Sequence, residues 1–358
     1  MTLRCAVLWT RLSGYFNGCL RAFADLPGTE LFVASQAFDA ATPFDSGQFD
    51  WIDAHVGYDH APAYRELADR LAAFAPDAIL ISSWHIPAFR RVARAYKGKA
   101  VRILCMDNQW LGTAKQWLGV ATAPFAVRPL YDYVFLPGDR QAAFAQKLGF
   151  RPREIWRGLY CCDQAKFSRI YRECREAAAD RRAFLFVGRF VDEKGLDTLV
   201  EGYRRYRAAA ADPWPMTICG AGPLSGLLEG AEGVSVQGFV QPDDLPEVMR
   251  TAACLVLPSR FEPWGVVVHE AVAAGLGVIC TTVCGASVHL VQDGYNGSLV
   301  EAGDAAGLGD AMRRYAAQDP DALAAIADRS HQLSLQFTPE RWAAYLHGRL
   351  TEIVGAGA

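Results

Sequence analysis

No apolar run in this sequence of 358 residues reaches the length of about 18 that a membrane-spanning helix needs. The first residues carry only a short apolar stretch, Cys5–Trp9, before Arg11, too little for the core of a secretory leader. No two of the ten cysteines have the Cys-x2-Cys spacing of a zinc knuckle; Cys161 and Cys162 are adjacent, and Cys280 and Cys284 are four apart. Cysteines without an export signal imply reduced thiols in the cytosol, and these are expected to be small buried apolar residues. Internal repeats and low-complexity segments are also missing. The only Asp-x-Asp, Asp319-Pro320-Asp321, precedes a helical run over Ala322–Ala327 and reads as a helix cap instead of a metal motif.

What remains is a chain that is 51% hydrophobic and 21% charged, enough for a sizeable core and long enough for two domains. Its charge is uneven. Residues 1–158 hold 18 Lys+Arg against 14 Asp+Glu, and the remainder 18 against 25. A basic N-terminal half suits an anionic partner or a membrane surface. Much of the positive charge lies in Phe89–Lys99, where Phe89, Val92, Ala93 and Tyr96 share one helical face. The ordinary reading is an amphipathic helix with a solvated basic rim; the other is a helix that docks on a membrane.

Strand-like runs alternate with helical patterns from end to end, as in α/β chains with parallel sheets. In the first half the strands are Arg4–Trp9, Glu30–Ser35, Ala78–Ser82, Val101–Met106 and Tyr133–Leu136, with helices such as Ala63–Phe74 and Asp139–Leu148. The pattern loosens over Gly149–Lys166 and then restarts with Ala183–Val187, a helix over Leu196–Ala209, and strands Met216–Cys219, Gly233–Gln237, Cys254–Leu257 and Val278–Thr281. The expected division is a first domain over 1–158 and a second over 159–340. A last helix, 341–358, opens near the cap Thr338-Pro339 and packs back toward the first. Two doubly wound units imply ligands at the carboxyl ends of the strands.

The chemistry concentrates in the second half. Glu262 and Glu270 flank Pro263-Trp264-Gly265-Val266-Val267-Val268-His269, between the strand Cys254–Leu257 and a short helix placed at Ala271–Ala274 before Gly275. A carboxylate accepts hydrogen bonds from sugar hydroxyls, while amides at a helix start, here Trp264, Gly265 and Val266, welcome an anion. Upstream, Arg189 and Lys194 fall on the loop after Ala183–Val187, where two cations can neutralise a diphosphate or simply pair with Asp192, Glu193 or Glu201. Gly220-Ala221-Gly222 follows the next strand. With Gly226 it mimics a dinucleotide fingerprint, but Pro223 and the missing acidic residue argue against a nicotinamide dehydrogenase.

Gly188-Arg189 with Glu193-Lys194-Gly195, Gly220 to Leu224, Gly238-Phe239-Val240, Glu262 to Glu270, and Asp293 to Gly297 occur in that order. This series resembles the C-terminal domain of glycosyltransferase family four, retaining enzymes of the GT-B fold. The resemblance implies two Rossmann-like, doubly wound domains facing each other across a cleft, 1–158 binding the acceptor and 159–340 the nucleotide-sugar donor. It implies that Arg189, Lys194 and Gly188 meet the donor diphosphate, that Glu262 holds the donor sugar, and that Glu270 holds the ribose. Gly220, Gly222, Phe239 and Val240 would border the nucleotide, and the amides of Trp264, Gly265 and Val266 the sugar or phosphate. Gly277 departs from a proline usual in the family.

In the first half the likeness is weaker. Gly14-Tyr15 stands where the family has a glycine pair; Gly14 reads equally as a turn residue or a donor-phosphate contact. Asp107 stands where the family has a histidine, and is either a helix cap or turn residue or a catalytic stand-in for that histidine, accepting a hydrogen bond from the donor sugar or orienting the acceptor hydroxyl. His85, Asn108 and Trp110 are candidate acceptor contacts, with a structural histidine and a core tryptophan as the plainer readings. The implied activity is metal-independent, retaining transfer of a sugar from a nucleotide-diphosphate sugar to a hydroxyl of a glycan or glycolipid, with no cofactor. No nucleic-acid partner is expected. The expected location is cytoplasmic, either free or peripheral at the inner membrane face. The alternatives are a sugar-nucleotide epimerase or a degenerate nucleotide-sugar binder.

Overall fold

The computed structural model describes residues 2–36, 46–58, 63–175 and 181–357. Two compact units form, one from Met1–Cys161 with Phe337–Ala358 and the other from Cys162–Gln336. Each is an α/β unit built on one sheet.

The first unit holds seven strands: β1 Leu3–Trp9, β2 Thr29–Gln36, β3 His55–Tyr58, β4 Ala78–Ile81, β5 Val101–Cys105, β6 Tyr133–Leu136 and β7 Ile155–Arg157. All pair in parallel, in the order β3-β2-β1-β4-β5-β6-β7. Parallel sheets are covered on both faces, so central strands such as Ala78–Ile81 are buried at every residue and read as unbroken apolar runs. One face packs under Leu67, Leu71, Phe89 and Val92, the other under Phe16, Phe23, Trp342 and Leu346. The last two come from the helix Pro339–Gly357, which lies against the helix Gly14–Ala24 within this unit. Thr338 caps it, its hydroxyl accepting from the Arg341 amide at 3.2 Å.

The second unit holds β8 Phe184–Val187, β9 Met216–Cys219, β10 Val234–Gly238, β11 Cys254–Leu257, β12 Gly277–Thr281 and β13 Gly297–Val300. They too are all parallel, ordered β10-β9-β8-β11-β12-β13. In both sheets the order reverses once, beside β1 and β4 in the first unit and beside β8 and β11 in the second. Such reversals open a crevice at the carboxyl ends of the strands, where ligands of doubly wound sheets bind.

Three expectations are corrected or closed here. The helix after Gly265 runs Val266–Ala273, not from Ala271; Gly265, at φ +89°, turns the chain, and the β-branched run Val266–Val268 is helical despite its strand-like look. Asp319 caps the helix Pro320–Ser334, accepting from the Ala322 amide at 2.8 Å. In the basic helix Pro87–Ala95, Phe89, Val92 and Ala93 are buried and Tyr96 packs on the same core, so that apolar face is spent inside the unit and is not offered to a membrane. All ten cysteines are buried and unbridged. Among the described residues, no helix is long and apolar enough to cross a membrane.

Candidate functional site

The second unit's crevice is built by two loops that lace together. After β8 the chain passes Gly188–Val191, makes a tight turn at Asp192–Lys194 and enters the helix Leu196–Ala209 through Gly195. After β11 it passes Pro258–Trp264 and enters Val266–Ala273 through Gly265. The Glu193 carbonyl accepts from the amides of Arg260 and Phe261 at 2.8 and 3.2 Å. Gly195 sits at φ +65°, and a Cβ there would lie 2.2 Å from the Pro258 carbonyl oxygen. Only glycine allows that approach with that backbone.

The lacing brings Lys194 onto Glu262. The ammonium donates to Glu262 Oε2 in an ion pair whose side chains are 16% and 8% exposed. Ser259, also buried, donates to the same oxygen at 3.4 Å. Gly265 lies against the Glu262 side chain, where a Cβ would come within 3.0 Å of its Cγ. A segment after β12 straps the loop down: the Gly285 amide donates to the Glu262 carbonyl at 3.0 Å and the Ala286 amide to the Trp264 carbonyl at 2.8 Å. Trp264 itself is buried, its ring 6.0 Å from that of His289. The amides of Gly265 and Val266 open a helix whose first turn lacks intrahelical acceptors.

Arg189 stands apart from that pair, 68% exposed and 3.6 Å from Glu193, a surface ion pair worth little in water and open to exchange for an anionic ligand. Gly220 and Gly222 have a packing reason of their own. At φ +150° and +155°, they let their loop meet the backbone of Gly188–Phe190, where Cβ atoms would fall 1.9 Å from the Gly188 oxygen and 2.6 Å from the Phe190 oxygen. The Gly220 amide donates to the Gly238 carbonyl at 2.6 Å, which sets Phe239 (exposed) and Val240 (half-buried) beside this loop. Glu270, half-buried on Val266–Ala273, is the most perturbed carboxyl here. Desolvation pushes its pKa up to about 7, against the partial help of Lys166. Lys166, from the helix Gln164–Cys174, also pairs with Asp243 at 2.5 Å. The sequence pattern carried no signal for Lys166, which lies 77 positions before Asp243 and farther still from Glu270.

His269, between the glutamates, is structural. Its Nδ1 accepts from the Cys162 amide at 3.0 Å and its Nε2 donates to the Ser334 carbonyl at 3.1 Å. Burial lowers its pKa to about 4, so it stays neutral.

The remaining candidates belong to the first unit. Gly14 is the first residue of the helix Gly14–Ala24, after the N-cap Ser13. Asp107, half-buried after β5, accepts a hydrogen bond from Tyr160, whose pKa is raised first by burial and then by that carboxylate. His85 and Asn108 line a cavity of about 340 Å³ at the carboxyl ends of β4 and β5. Trp110 does not line it; its ring packs 5.1 Å from Trp117 and 5.7 Å from Phe144, under the Lys147 ammonium. The structure thus brings Lys194, Glu262 and Gly265 together and groups His85 with Asn108. Among the described residues, no three His, Cys, Asp or Glu side chains come together as a metal cluster.

Residues 181–318 match the family model described as "Glycosyl transferases group 1". Among curated relatives, the alpha-D-kanosaminyltransferase of Streptomyces kanamyceticus is 29% identical over 161 residues, covering 43% of this chain and 41% of that protein. The lipopolysaccharide core biosynthesis glycosyltransferase LpsE of Rhizobium meliloti is 30% identical over 171 residues, 46% of this chain and 48% of that one. The D-inositol 3-phosphate glycosyltransferase of Mycolicibacterium vanbaalenii is 32% identical over 171 residues, 42% and 36% of the two. The chain spans less than half the length of these curated relatives. Among solved structures, Anabaena Alr3699/HepE in complex with UDP and glucose superposes with a TM-score of 0.72 at 17% identity, covering 98% of this chain and 100% of that one. Sucrose-phosphate synthase from Thermosynechococcus elongatus does so with a TM-score of 0.76 at 17% identity, covering 99% and 100%. At such identities the likeness is one of fold: two parallel-sheet, Rossmann-like domains, as in GT-B glycosyltransferases.

Proposed function

We propose that this chain is a retaining glycosyltransferase of the family-four type, moving a sugar from a nucleotide-diphosphate sugar to an acceptor hydroxyl without a metal ion. The observation that carries the reading is the shielded Lys194–Glu262 pair at the β8/β11 crevice, next to the helix that Gly265 opens. The match of residues 181–318 to group 1 glycosyltransferases supports it, as does a structural neighbour in complex with UDP and glucose.

In this reading the donor exchanges places with the ion pair. Lys194 turns from Glu262 to the diphosphate, Arg189 leaves Glu193 to join it, and Glu262 accepts hydrogen bonds from the sugar hydroxyls. Glu270, as carboxylate, takes the ribose hydroxyls. The bond between the anomeric carbon and the leaving phosphate oxygen breaks as the acceptor oxygen forms its bond on the same face. The acceptor proton passes to that phosphate oxygen, and the nucleoside diphosphate leaves with the electron pair. Two cations and the helix start stabilise the growing charge, which is the work a divalent cation does elsewhere.

The test is release of nucleoside diphosphate from UDP-, GDP- and ADP-sugars in EDTA, with the anomeric configuration of the product read by NMR. The reading expects turnover of one donor with retained configuration, lost in Glu262→Gln. Inverted configuration, turnover untouched by Glu262→Gln, or no turnover of any donor would each overturn it.

A further inference from the structure

The cavity of the first unit has a chemistry of its own. Its floor is the loop after β4, with Trp84 and His85, and the loop after β5, with Asn108; Arg90 enters from the helix Pro87–Ala95, and Lys115 and Thr122 from the helix Ala114–Ala126. At about 340 Å³ it lies at the lower end of small-molecule pockets. Among the described residues, no Asp or Glu lines it, and neither Arg90 nor Lys115 forms an ion pair with a carboxylate, so the charge of each stays available at the cavity. Both cations reach His85: its pKa is lowered by burial first, then by Lys115 and Arg90. The Trp84 indole N–H, a donor only, donates to His85 Nε2, so the proton of the neutral imidazole sits on Nδ1. The pocket therefore offers two full positive charges, a neutral imidazole and the amide of Asn108. An aromatic wall from Trp84 and Phe144 completes it. Two unneutralised cations around one concavity focus the field on an anion.

We infer that this cavity is a phosphate-binding subsite, held by Arg90 and Lys115, for a phosphate-bearing polyol such as a sugar phosphate or the phosphorylated head of a lipid. Calling that polyol the acceptor rests on the glycosyltransferase reading; the binding itself does not. A lipid source is worth an arm because the helix carrying Lys115 exposes Trp117, Leu118 and Phe125, at 57%, 65% and 86%.

The experiment titrates the full chain with glucose 6-phosphate, with glucose and with inorganic phosphate by calorimetry. In parallel it is sedimented with vesicles of phosphatidylcholine, with or without phosphatidylinositol phosphate. Arg90→Gln and Lys115→Gln are compared with Arg94→Gln and Lys99→Gln, exposed controls that remove equal charge outside the cavity. Thermal melts confirm that each variant folds. The expected result is binding of glucose 6-phosphate but not glucose, weakened about tenfold by each cavity variant and unchanged by the controls. Binding only to the phosphoinositide vesicles, with the same dependence, assigns the phosphate to a lipid and equally supports the subsite. No phosphate-dependent binding in either arm, or equal loss in cavity and control variants, overturns it. UDP, titrated alongside, separates the two ideas: UDP binding without phosphate binding defeats the subsite alone, and the reverse defeats the donor reading alone.

Discussion

Replacing Lys194 by Met would keep most of the aliphatic stem and remove the charge. Glu262, 6% exposed, would then hold a carboxylate in a shielded site without its cation. Removing one partner of a buried pair costs about 3–5 kcal/mol, chiefly because the other charge is left uncompensated. The 16% exposure of Lys194 lets some water in, which puts the expected cost near the low end, about 3 kcal/mol. For a unit of about 150–250 residues, the size class of Cys162–Gln336, that lowers the melting temperature by roughly 6–12 °C. Calorimetry is the suitable assay, because two units need not melt together and the transition of the second must be followed by itself. Adding Glu262→Gln removes the stranded charge, so the double variant is expected to regain about 2 kcal/mol over the single one. A Lys194→Met cost below about 1 kcal/mol, or strict additivity in the double variant, would refute the claim that the two residues form a shielded pair.

Other outcomes follow from the same geometry. Glu270 has its pKa raised from 4.5 to about 7, so the folded chain holds an extra proton between those values. Stability should fall as pH rises through that window, and Glu270→Gln should remove that slope in pH-dependent melts. If Glu270 meets the ribose as a carboxylate, nucleotide affinity should rise about tenfold from pH 6 to pH 8 relative to Glu270→Gln, measured by calorimetry. Gly195→Ala, facing a 2.2 Å approach to the Pro258 oxygen at φ +65°, should cost at least about 2 kcal/mol in thermal unfolding. Asp132→Ala should cost about 2 kcal/mol, because it strands the buried Arg102 guanidinium that Asp132 now holds through Nε and Nη2 at 3.0 and 2.6 Å.

Much of the fold was legible because parallel strands buried on both faces are written as short apolar runs. Phe184–Val187 and Cys254–Leu257 needed nothing more. β3, with His55 and Gly57 at the sheet edge, lacks that signature, and β13 starts at Gly297, where a Cβ would meet the Val278 oxygen at 1.8 Å. The helix Ala114–Ala126 hides behind Gly119 and Pro124, both poor helix formers. Within the site, the order of motifs pointed to Lys194 and Glu262 separately, but not to their direct pairing across 68 positions, which depends on how two loops lace. For the same reason Lys166 and Tyr160, partners of Glu270 and Asp107, and the cations Arg90 and Lys115 around one cavity became visible only in three dimensions.

The most direct test of the account is calorimetric titration of the full chain with UDP, GDP and ADP in EDTA, beside Lys194→Met. The account predicts that one nucleoside diphosphate binds without added metal, and that its affinity falls at least about tenfold in the variant. No binding by the wild type, binding that appears only with magnesium, or equal affinity in Lys194→Met would contradict it.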